Sequence, residues 1–163
     1  MKKILMVIVS MIIGAGGGYR VAVLTTERKK QKELQNAWNL SNKHLALFKM
    51  MNDWVRLKQD GKNLADYFIK NDYKTIAIYG MSYAGQTLVN ELKGTNIEVK
   101  YGIDKSVESR YLDIEVYKLE DAIEQVDAIV VTPITFFREI EDELGAIFDC
   151  PIISLEDVLY EID

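Results

Sequence analysis

TIAIYGMSYAGQTLVNELKGTNIEVKYGID, residues 75–104, decides the fold. Thr75 to Tyr79 is a short apolar run rich in β-branched residues, the pattern of a buried strand. It ends at Gly80, and a turn of small residues follows. From Ala84 to Lys93 the apolar positions recur at helical period. A second apolar run then closes on an acid, Asp104. Strand, turn, helix and strand in this order describe two parallel strands joined by a crossover helix.

The pattern continues downstream. Strands are predicted at 75–79, 97–103, 114–117, 128–132 and 151–154, with the third the weakest. Helices are predicted at 84–93, 119–125, 136–148 and 155–161. Such alternation with short links predicts an α/β domain over 74–163: a five-stranded parallel sheet with helices on both faces.

The turn itself, Gly80-Met81-Ser82-Tyr83-Ala84-Gly85, keeps the first and third glycines of G-x-G-x-x-G and has Ser82 in place of the second. In that pattern the turn and helix N-terminus hold phosphates, and an acid about 20 residues on holds ribose hydroxyls. Gly80, Ser82, Tyr83 and Gly85 are therefore candidate phosphate-site residues. Asp104, 24 positions after Gly80, is the candidate ribose acid, and its charge would repel a 2′-phosphate. Thr132, closing the fourth strand before Pro133, is expected to face Ser82 across the crevice beside the first strand. Each position also has a plainer use, Ser82 as a helix cap and Asp104 as a loop cap.

Charge is divided unevenly along the chain. Residues 1–71 hold 13 Lys+Arg against 5 acids, net +8; residues 72–163 hold 7 against 20, net −13. A basic N-terminal part suits an anionic membrane surface, whereas the acidic remainder would repel a nucleic acid. Cys150 is the only cysteine, which excludes a disulfide framework within one chain.

Lys2 and Lys3 precede sixteen uncharged residues, Ile4 to Tyr19, and with Arg20 able to snorkel the apolar stretch extends to Leu24. A transmembrane anchor over 1–25 is the expected reading. The heavier positive charge after it (Arg20, Arg28, Lys29, Lys30, Lys32) places the C-terminal domain in the cytoplasm. A cleaved signal peptide ending in GAGGG, and hence export, is the alternative. A dinucleotide loop in IIGAGGGY is rejected because the preceding apolar run is twice a strand's length.

Residues 26–73 form a helical connector, free of Pro and Gly from Thr26 to Gln59. Leu34, Trp38, Ser41, Leu45, Phe48, Asn52 and Val55 alternate four and three apart, while Leu40, Leu47, Met51, Trp54 and Leu57 mark a second face. The preferred expectation is that 40–58 packs on the following domain. The sharper one is a coiled-coil homodimer, or recruitment of an envelope-biosynthesis protein, through 34–58. Gly61 ends the helix, and 63–71 reads as a short second helix.

Catalytic sets do not assemble. Gly80-Met81-Ser82 followed by Ala84-Gly85 resembles a nucleophile elbow, yet the sole histidine, His44, precedes it and none follows. Tyr101 and Lys105 match Y-x-x-x-K, but across a strand end four residues span roughly 13 Å, too far to couple them. No clustered Cys or His offers a metal site. The expectation is a binding domain rather than an enzyme.

The segments IAIYGMSYAGQTLVNEL, VKYGIDKS, IEVYKLEDA, DAIVVTP and CPIISLEDVL make residues 74–163 similar to the small Rossmann-type domains of bacterial cell-surface polysaccharide and sugar-nucleotide enzymes. Such domains open sugar acyltransferases and precede the catalytic part of membrane-bound nucleotide-sugar dehydratases. The resemblance implies a Rossmann-like fold that binds NAD or a nucleotide-sugar, in a protein accessory to surface polysaccharide synthesis. The alternatives are a scaffold with a vestigial pocket and a small NAD-dependent oxidoreductase.

Overall fold

The computed structural model describes residues 2–105, 114–122 and 124–162, with side chains from residue 26 onward. The chain divides into two compact units, Met1–His44 and Leu45–Asp163. A single helix, α1 (Lys2–Gln59), contributes to both. The anchor expected over 1–25 lies outside the residues described with side chains. Among the described residues, no helix is long and apolar enough to cross a membrane.

In the second unit the order is α2 (Ala65–Lys70), β1 (Thr75–Tyr79), α3 (Tyr83–Leu92), β2 (Glu98–Ile103), β3 (Val116–Tyr117), β4 (Ala128–Val131), α4 (Phe137–Gly145), β5 (Ile152–Ser154) and α5 (Leu155–Ile162). All strand pairs are parallel, in the order β3-β2-β1-β4-β5. The chain builds outward from β1 to β3, then returns to the other side of β1 with β4. That reversal opens a crevice at the carboxyl ends of β1 and β4.

β1 and β4 are buried on both faces, which explains their unbroken apolar runs. Ile76, Ile78, Ala128 and Val130 face one layer, with Leu88 and Leu92 of α3 and Val158 of α5. Ala77, Tyr79, Ile129 and Val131 face the other, against Ile140 and Leu144 of α4. Helices thus cover both faces.

The end of α1 is part of this core. Met50, Trp54 and Leu57 are buried with Leu64, which precedes α2, and Phe68 within it, and each such side chain contributes about 1.5–3 kcal/mol of burial. Packing on the domain therefore holds for residues 47–57, while Leu40 and Leu45 are exposed. α1 stops in a Schellman motif: Gly61, at φ +76°, donates to Lys58, and Lys62 N–H donates to the Leu57 carbonyl.

One expected element is corrected. In place of a helix over 119–125 there is a single 3-10 turn, Leu119–Asp121, and 124–126 are not helical. Ala122 is extended, and the Glu124 carbonyl accepts from the Tyr101 hydroxyl at 2.6 Å instead of from a helical N–H. Helix 136–148 is shortened to α4, preceded by a 3-10 turn at Ile134–Phe136.

Candidate functional site

β1 delivers the chain to Gly80, whose φ of +92° is a left-handed angle that side chains rarely adopt. A Cβ there would stand 2.7 Å from Pro133 Cδ and 2.7 Å from Thr132 Oγ1. At Gly85 a Cβ would fall on the Gly80 carbonyl oxygen. The two glycines therefore let α3 start directly against the strand end, as the first and third glycines of the motif require.

β2 holds the turn at two points. The Met81 side chain is buried and lies on Gly102, where a Cβ would stand 2.7 Å from the Met81 sulfur. Two residues further, Asp104 Oδ2 accepts the Met81 N–H at 2.7 Å. The Met81 carbonyl accepts from Gln86 Nε2 at 3.1 Å. Gly102 and Gln86 were missed from sequence; a glycine two residues before the strand-end acid was the available signal.

Thr132 is buried, and its hydroxyl donates to the Gly80 carbonyl at 2.7 Å. It fastens β4 to the turn rather than lining the open space, where Pro133 stands instead. Ser82 is the N-cap residue of α3 and is exposed, but its hydroxyl makes no capping bond. Tyr83, the first residue of α3, is 80% exposed. Gly80 and Asp104 are thus brought to the cleft together, with Gly85 and Thr132 behind them as supports. Ser82 and Tyr83 mark the α3 N-terminus beside it.

The cleft lies at the carboxyl ends of the strands. One hollow of about 340 Å³ is bounded by Gly80, Asp104, Pro133, Phe136 and Ile140. An adjoining one of about 390 Å³ extends over Ile103, Lys118 and Leu119. Tyr79, Asp104, Lys105 and Glu143 border both. Each hollow is of a size that takes a small ligand. Asp104, Glu120, Glu139 and Glu143 set four carboxylates against Lys105 and Lys118. Burial pushes the Tyr79 hydroxyl above its ordinary pKa, with Glu143 and Asp104 adding to the effect, so it is a neutral donor at pH 7.

Tyr101 is turned away from this cleft, its hydroxyl on the Glu124 carbonyl, and burial pushes its pKa up to about 12. Among the described residues, no group of three or more His, Cys, Asp or Glu is arranged to hold a metal.

These features define an α/β protein with an open, carboxylate-lined cleft at the reversal point of a parallel sheet. No family model, curated protein or solved structure matches the chain.

Proposed function

We propose that the second unit is a Rossmann-like domain that binds a nucleotide-sugar, in a protein accessory to cell-surface polysaccharide synthesis. The observation that carries this reading is the cleft at the β1/β4 reversal, bordered by both Gly80 and Asp104. Phosphates would lie at the α3 N-terminus by Ser82 and Tyr83, where no acid occupies the first turn. The ribose would lie at Asp104. Carboxylates such as Glu139 and Glu143 accept hydroxyl hydrogens and repel phosphate, so the distal part of the ligand fits a polyhydroxylated sugar better than a second nucleotide. This favours a nucleotide-sugar over NAD. Tethering by residues 1–25, with this unit in the cytoplasm, belongs to the same proposal.

A second reading has its own observation. Both backbone polar groups of Met81, its N–H and its carbonyl, are satisfied inside the protein, by Asp104 and Gln86, which suits a vestigial pocket in an interaction module.

Calorimetry of residues 26–163 with UDP-sugars and NAD tests the proposal. Saturable heat with a UDP-sugar, weakened by Glu139→Gln/Glu143→Gln, is the expected result. No heat with any nucleotide would support the interaction module.

A further inference from the structure

The two apolar faces of α1 separate cleanly. Met50, Trp54 and Leu57 are 2–3% exposed, buried on the second unit. Leu45, Phe48 and Val55 are 50%, 69% and 53% exposed, and at about 100° per residue they point roughly 150° away from that buried face. In the first unit Leu34 and Trp38, four residues apart, are 61% and 66% exposed, and Ser41, also exposed, follows three residues on. One face is thus occupied by the fold while the other is open to solvent.

From this we infer that the open face pairs with a second copy of this chain, as a parallel two-stranded coiled coil through Leu34, Trp38, Ser41, Leu45, Phe48, Asn52 and Val55, with Ser41 and Asn52 as its two polar core positions. Three observations name a second copy as the occupant. The row alternates four and three residues apart over three heptads, the 3.5-residue period that keeps a seam against a supercoiling partner. Asn52 stands at a core position equivalent to Leu45 and Trp38, where a lone Asn pairs with its own counterpart and fixes a parallel, in-register dimer. The area is also adequate. With 150–250 Å² per aromatic side chain, Trp38 and Phe48 alone expose roughly 100–170 Å² each. Adding the aliphatic positions, two copies approach about 1,000 Å², the threshold of a specific interface.

The flanks do not oppose this pairing. In a parallel dimer Lys49 and Arg56 of one copy lie across from His44 and Met51 of the other, so no acid–base pairing is demanded.

Disulfide crosslinking of the full chain in mild detergent tests the seam, in a Cys150→Ser background. Leu45→Cys places thiols side by side at a core position, whereas Lys43→Cys places them on the opposite side of α1. Both sites are exposed, so neither substitution touches the core. The expected result is an oxidised species of twice the chain mass for Leu45→Cys and none for Lys43→Cys. Adding Phe48→Lys should lower the yield about tenfold, the loss of roughly 1.4 kcal/mol. Equal crosslinking at both positions, or a monomeric Leu45→Cys chain with native circular dichroism, would overturn the inference.

Discussion

Asp104 and Met81 lie 23 residues apart in sequence, and the carboxylate of one holds the backbone N–H of the other at 2.7 Å. The acid at the end of β2 thereby sets the shape of the turn at the end of β1. Replacing Asp104 by Ala should leave that part-buried N–H unpaired and cost about 1–3 kcal/mol. Asp104→Asn, which keeps an acceptor oxygen, should recover much of the loss. Amide hydrogen exchange at Met81 reads the difference directly: fast in the alanine variant, slow in the asparagine variant.

Gly85 supports the same turn by being small. Its Cβ would collide with the Gly80 carbonyl oxygen, so Gly85→Ala must move α3 or the turn, at about 1–3 kcal/mol. Gly94 is the comparison, since nothing lies within 4 Å of a Cβ there and only its φ of +78° resists substitution. Gly94→Ala should cost about 1 kcal/mol. Urea midpoints of the two variants, measured together, separate collision from backbone strain.

The end of α1 is expected to be indispensable to the second unit. Trp54→Ala should destabilise it by about 3–5 kcal/mol, because the side chain is 3% exposed in the main core. A fragment of residues 62–163 lacks Met50, Trp54 and Leu57 altogether and should melt well below residues 45–163. Equal melting temperatures would show that α1 only lies on the surface.

The main features of the sheet could be read from residues 75–104 because glycine positions and strand composition are local signals. All five strands occur within three residues of expectation, the shortest being β3. The helix expected over 119–125 failed because its spacing of Leu119, Ala122 and Val126 also suits a loop dipping into the core. The Tyr101 hydroxyl, distant in sequence, takes the Glu124 carbonyl. The two stripes of α1 were visible as spacing, but their assignment required knowing which one the sheet layer covers. At the site, Gly80 and Asp104 were legible from motif spacing. Glu139 and Glu143 carry no motif of their own, and what places them at the cleft is the return of β4 beside β1.

Acid should weaken the sheet at its opposite end. Asp127 Oδ2 accepts from the Lys74 and Thr75 N–H groups at 2.8 and 2.7 Å and from the Thr75 hydroxyl at 3.0 Å, joining the starts of β1 and β4. The Thr75 and Lys74 backbone bonds hold its pKa below the usual 3.8. A depressed folded-state pKa gives stability that is present above the unfolded value and lost as pH falls through the folded one. The wild-type chain should therefore lose more stability than Asp127→Asn on acidification below about pH 4. Urea unfolding at stepped pH checks this.

Binding at the turn is the central claim, and amide NMR of residues 26–163 during titration with UDP-sugars addresses it most directly. The account predicts saturable shifts of the Gly80, Met81, Ser82 and Tyr83 amides, with smaller ones along the start of α4. Amides at the turn that stay unmoved at saturating UDP-sugar would contradict it.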